Sequence, residues 1–147
     1  MAVTNKWLGQ CFINAFDKEI DYLADSIVVT LHNSTFTPDQ DADVYQSDWS
    51  NELSTANGYT AGGQAMGTKT NDYTSGTNVV AFKAADVVWT ATGTLTARTA
   101  VTSDTTPGSA ATNPLLTFHQ SDSDISATDA SGTFDVPVSG FATITAS

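Results

Sequence analysis

The chain has 147 residues, enough to bury one core without disulfides or metal, and it is 40% hydrophobic and 14% charged, with Lys+Arg 5 against Asp+Glu 16. A formal net charge of −11 repels phosphate, which argues against nucleic acid and against a polybasic membrane surface as partners. The single cysteine, Cys11, excludes an internal disulfide, and no apolar run approaches the ~18 residues of a membrane span.

The polar surface comes from 24 Thr and 14 Ser, and Thr suits a half-exposed pleated strand. Aromatic residues spread along the whole chain argue for a folded domain rather than disorder. The composition therefore predicts a mainly β, single-domain protein over 1–147. No basic region followed by an apolar one opens the chain, so no secretory signal is expected.

In chain order, Trp7, Leu8, Cys11, Phe12, Ala15 and Phe16 recur at three- and four-residue spacing. This predicts one amphipathic helix over 5–17, with Asn5 as its N-cap. Ser26 to His32 is β-branched and apolar almost throughout, the pattern of a first strand over 26–32 covered on both faces. Residues 33–61 form a long connection with Pro38, an Asp cluster and the turn pair Asn57-Gly58, and loops of that length often carry function. A helical turn is expected near Asp48 to Leu53.

The remainder, 64–146, reads as β-rich. Strands are expected at Gln64 to Asn71, Asn78 to Lys83, Val87 to Thr92, Thr94 to Ser103, Leu115 to Gln120, Gly132 to Val138 and Phe141 to Ala146. A polar Ser121 to Ser131 stretch reads as a loop. Short strands punctuated by turns at this spacing predict an antiparallel β-sandwich or barrel-like fold with one N-terminal helix.

No catalytic constellation stands out. His32 and His119, the two histidines, sit in apolar strand contexts outside any nucleophile motif and read as structural. Cys11 lies on the helix stripe as a small buried hydrophobe. Asp39-Gln40-Asp41-Ala42-Asp43 imitates the first half of a calcium loop, but Val44 and Ser50 stand where an EF-hand needs Gly and Glu. Asp39, Asp41 and Asp43 are weak metal candidates beside the simpler reading of a solvated acidic loop, and Asp122-Ser123-Asp124 is another. Ala61-Gly62-Gly63 reads as a bend into a strand. No cofactor is expected, and enzymatic activity is not.

Trp7, Phe36, Tyr45, Trp49 and Tyr59 lie in the helix or the long connection. Such rings either form a contact surface, where Trp and Tyr dominate binding energy, or close one end of the sandwich as core. For Trp7 and Trp49 both readings stay open. With Val3 added, these six residues are the expected partner-binding surface.

Asn5-Lys6-Trp7, Glu19-Ile20-Asp21, a strand, Phe36 before Thr37-Pro38-Asp39-Gln40-Asp41, and Asn51-Glu52-Leu53 then follow in order. Gly58-Tyr59-Thr60-Ala61-Gly62-Gly63, Ala85-Asp86-Val87-Val88-Trp89 and Leu95-Thr96-Ala97-Arg98 complete the series. This order and spacing, over roughly Asn5 to Leu116, resembles a family of short virion proteins from tailed bacteriophages, whereas Gly132 to Ser147 departs from it. The resemblance implies a non-enzymatic structural role, as a capsid decoration (cement) protein on the outer face of the head. The implied partners are the major capsid protein and further copies of itself, most simply as a trimer, with no nucleic acid and no membrane. It implies synthesis in the host cytoplasm. A tail or neck position, or a glycan-binding module of the virion, are the alternatives.

Overall fold

A computed structural model describes residues 2–134 and 140–146 of the chain. In chain order these form β1 (Val3–Trp7), α1 (Gln10–Phe16), β2 (Ile27–His32), β3 (Gln64–Ala65), β4 (Thr70–Thr74) and β5 (Val79–Lys83). There follow β6 (Val87–Thr90), β7 (Thr94–Asp104), β8 (Leu115–Thr128), β9 (Ser131–Phe134) and β10 (Ala142–Thr145). The molecule is mainly β with antiparallel sheets and one helix, as its composition predicts. A five-stranded sheet runs β1-β8-β7-β2-β3, a three-stranded sheet β10-β5-β4, and β6 pairs with β9. With β1 and β3 at its two edges, the large sheet does not close into a barrel among the described residues.

β2 behaves as its sequence dictates. Its β-branched residues favour the pleated backbone, and it is buried on both faces between β7 and β3. One face of the large sheet sends Ile27, Val29, Ala100 and Leu116 into a core cluster shared with Tyr59, Val87, Trp89, Leu95 and Phe141. The smaller sheets therefore pack on this face. The opposite face sends Val101 and Phe118 into a second cluster with Leu8 and Phe36. Ile27 and Val29 are fully excluded from solvent, and each such side chain contributes about 1.5–3 kcal/mol.

The helix expected over 5–17 is two elements. Trp7 and Leu8 end a strand and its exit, so they point to opposite faces: Trp7 packs on the first cluster, Leu8 is in the second. Gly9 then stands at the N-cap of α1, without a side-chain cap, in place of Asn5. The apolar spacing at 7, 8, 11 and 12 thus mixes two strand faces with one helix stripe.

Three further expectations shift. The strand expected from Gln64 to Asn71 divides, because Met66 turns into the core and Thr68 adopts a left-handed φ of 47°, sending β3 to β2 and β4 to β5. The Ser121 to Ser131 stretch is mostly strand, since β8 runs on to Thr128 and pairs with Thr94 to Ala97. The helical turn lies at Gln46–Asp48, before the expected Asp48 to Leu53. The strand expected at Gly132 to Val138 is described as far as Phe134, and 135–139 lie outside the described residues. Among the described residues no helix is long and apolar enough to cross a membrane.

Candidate functional site

The long connection is packed against the sheet over much of its length. Leu53 N–H donates to the Leu31 carbonyl at 2.8 Å, and the Tyr59 hydroxyl accepts from Leu31 N–H at 3.1 Å. The loop thereby covers the β2 edge beyond the two-residue β3, which removes an exposed pairing edge. Glu52 fixes the return, accepting from Tyr59 Oη at 2.7 Å and from Gly62 N–H at 2.6 Å. Gly63 turns the chain into β3 at φ 74°, where a Cβ would stand 2.1 Å from the Val29 carbonyl oxygen. Only glycine permits that approach, and the bend read from Ala61-Gly62-Gly63 has this cause.

Phe36 and Tyr59, expected on the contact surface, are therefore core residues at 4% and 1% exposure. Phe36 enters the second cluster beside His32, and Tyr59 enters the first beside Trp89. Trp49 is half-buried, edge-on to His32 at 5.0 Å between centroids. Trp7, also half-buried, packs against Phe12 and Phe82 and donates its indole N–H to the Thr143 carbonyl at 2.9 Å. Tyr45 is half-buried with its hydroxyl 3.4 Å from Glu19, and Val3 is exposed on the edge strand. The six residues lie on different faces and do not form one surface.

The acidic segments carry loop geometry. Asp39 accepts the N–H groups of Asp41 and Ala42 at 3.0 and 3.1 Å, while the Asp43 carboxylate accepts Asp39 N–H at 2.8 Å. Asp21-Tyr22-Leu23-Ala24-Asp25 repeats the arrangement, with Asp21 accepting from Leu23 and Ala24 and Asp25 accepting from Asp21 N–H. Aspartate favours such turns because its carboxylate reaches its own neighbours. Asp39 and Asp43, two of the three weak metal candidates, thus have carboxylates engaged by backbone. Asp41 is exposed. Asp124 of the other acidic stretch pairs with Arg98 at 2.8 Å. Among the described residues no group of three or more His, Cys, Asp or Glu is arranged to hold a metal ion.

Burial makes Cys11 inert, pushing its thiol up to about 12 because the thiolate would be desolvated. His32 and His119 are held as structural groups. His32 Nδ1 lies 2.8 Å from the Ser50 carbonyl oxygen, and His119 Nδ1 lies 2.9 Å from Asn5 Oδ1.

What the surface does offer is apolar. In α1, Cys11 and Asn14 face inward, while Ile13 is 53% and Phe16 87% exposed. Ile13 and Phe16 are three residues apart and so share a helix face. Phe16 belonged to the stripe read as buried. A seven-residue helix buries one narrow face, and here that face is Cys11 and Asn14. Isolated exposed apolar residues are ordinary, but a phenylalanine this bare next to an exposed isoleucine has the composition of a contact patch. No family model, curated protein sequence or solved structure matches this chain.

Proposed function

We propose that this chain is a non-enzymatic structural protein of a tailed-bacteriophage virion, a decoration (cement) protein bound to the outer face of the head. The observation that carries the reading is the bare pair Ile13 and Phe16 on α1, an apolar patch suited to an assembled shell of major capsid protein or to a neighbouring copy in a trimer. The order of sequence motifs over Asn5 to Leu116 supports the same reading. The charge of −11 favours the outer surface, away from packaged nucleic acid.

A protein that binds the assembled shell and not its free subunits stabilises the shell by mass action. Contacts between copies on a symmetric lattice multiply that effect. Such a role needs durable folding and a complementary patch.

The test is quantitative mass spectrometry with cryo-EM of purified particles of the phage that encodes the chain. Capsid-scale copy number on the outer shell is the expected result; about a dozen copies in a ring, the cyclic arrangement of a neck, or absence from the particle would overturn it. Ile13→Ser with Phe16→Ser should leave the fold intact, since both sites are exposed, and should strip the protein from the shell.

A further inference from the structure

Two acidic turns flank the bare face of α1. Gly9 N–H donates to the Gln40 carbonyl at 3.0 Å, which sets the Asp39 to Asp43 turn at the start of the helix. At its end Glu19 N–H returns to the Asn14 carbonyl at 2.8 Å, and the chain runs on through Asp21 to Asp25. Residues 17–25 and 39–43 thus hold seven of the 16 carboxylates, with Lys18 as their one cation. Tyr45, just past Asp43, brings its hydroxyl to 3.4 Å from Glu19 and draws the two segments together.

Ile13 and Phe16 are 53% and 87% exposed on this helix, and Phe12, one turn before Phe16, is half-buried against Trp7. An apolar helix face of this kind lies into an apolar groove of a partner, and the charge around it decides which partner. A second copy of this chain fits badly. In a two-fold contact the same patch meets itself, so carboxylates would face carboxylates, and like charges brought together cost affinity. A head-to-tail contact would need a basic face elsewhere on the chain. Of the five cations, Lys83 pairs with Asp72 at 2.6 Å, Arg98 pairs with Asp124 at 2.8 Å, and Lys69 donates to the Asp25 carbonyl. Lys18 lies among the acidic residues themselves, which leaves Lys6 on β1. One lysine makes no basic face.

We propose that the helix face bearing Ile13 and Phe16 docks on a different protein, in an apolar groove edged by lysine and arginine. This rests on the reading of that pair as the contact patch, and it chooses a basic shell partner over a neighbouring copy. The apolar side chains supply the buried centre of the contact, and the carboxylates form a rim that steers the approach and rejects acidic surfaces.

A short synthetic helical peptide of leucine and lysine, its apolar face edged by lysines, is the probe, beside a counterpart that carries glutamate in place of lysine. Each is titrated into the uniformly ¹⁵N-labelled full chain. The amides of α1 and of the two acidic turns should move and saturate with the lysine peptide and stay in place with the glutamate peptide. Raising salt from about 0.05 to about 0.5 M, which shortens the screening length, should weaken binding about tenfold. Phe16→Ser should weaken it about tenfold as well. Neutralising the exposed Asp17 and Asp41 together, as Asp17→Asn with Asp41→Asn, should weaken it about fivefold. Asp86→Asn with Asp129→Asn, exposed on the β5–β6 and β8–β9 connections, should change it by less than about twofold. Equal binding of the two peptides, shifts confined to other faces, or equal weakening by the remote pair would overturn the proposal, the first two without reliance on any variant. Sedimentation of the chain alone as an oligomer that Phe16→Ser dissociates would overturn it too, by putting a second copy on the patch. Absence of the chain from phage particles would end the virion reading and leave the peptide result standing.

Discussion

The same three-residue device appears twice in the large sheet, once on each face. Thr30-Leu31-His32 in β2 and Thr117-Phe118-His119 in β8 each place a threonine hydroxyl against the histidine Nε2, at 3.1 and 3.0 Å. Residues two apart on a strand share a face, so the spacing alone makes the pair. In both, the neutral ring donates from Nδ1 and accepts at Nε2, but the two hold different things. His32 anchors the long connection through the Ser50 carbonyl and lies beneath the rings of Phe36 and Trp49, at 4.6 and 5.0 Å. His119, 9% exposed where His32 is fully buried, anchors an edge strand through the Asn5 side chain, has the Phe141 ring at 6.1 Å, and extends through Thr117 to Thr102 at 2.6 Å. What differs is the cover, and cover decides what each pair is worth.

His32→Ala tests that most severely. It removes a fully buried ring packed under two aromatics and leaves the Ser50 carbonyl without its donor, a loss of about 3–4 kcal/mol in chemical denaturation at neutral pH. His119→Ala, at a site 9% exposed and with its acceptor on an exposed strand, should cost about 2 kcal/mol. Equal costs would break the comparison.

Acid sharpens it. Burial lowers His119 from its ordinary 6.5 to about 4. His32 is lowered as well, but the Ser50 hydrogen bond and the Glu52 charge oppose its desolvation. Between those two values the unfolded chain binds more protons at His119 than the native chain does, so stability falls as pH drops from about 6.5 toward about 4. The gap corresponds to about 3 kcal/mol for His119. Asp43 and Asp104, raised chiefly by burial, work the other way: their native forms take up protons first and gain stability in acid. Denaturation midpoints measured from pH 7 to 4 should therefore fall in the native chain and flatten in His119→Ala. An unchanged slope in that variant assigns the acid sensitivity elsewhere.

Much of this was legible in the residues themselves. Ile27 to His32 could be read as a doubly covered strand because β-branched, apolar residues at nearly every position leave it no solvent face. The turn pair Asn57-Gly58 was legible too, and both residues have positive φ, 53° and 89°. Where periodicity is silent, the sequence does not show the strand. Ser126 and Thr128 pair with Thr96 and Thr94 through hydroxyls at 2.7 and 3.0 Å, so the end of β8 is a strand with little apolar signal to betray it. Phe36 and Tyr59 lie in the core, not on a surface, for a different reason. A loop's composition does not say whether the loop lies back on the sheet, and here Glu52, Tyr59 and the close approach of Gly63 to Val29 make it do so. The exposure of Phe16 is hidden inside a stripe that combines strand and helix, and no local pattern encodes the register jump between β7 and β8 at Arg98.

The smallest effect separates anchoring from covering most cleanly. Asn5 is exposed, and the side chain it lends to His119 ties β1 down together with the backbone ladder to β8 and the Trp7 indole bond to Thr143. In Asn5→Ala water reaches the freed Nδ1–H, so the global loss should be only about 1 kcal/mol. Local opening is another matter, because an edge strand exchanges its amides by fraying long before the core unfolds. The β1 amides that pair with β8 should therefore exchange several-fold faster in Asn5→Ala, about fivefold for 1 kcal/mol, while those of β2, held from the opposite face, keep their native rates. If β2 accelerates equally, the two threonine–histidine pairs are coupled through the sheet and do not act as separate anchors.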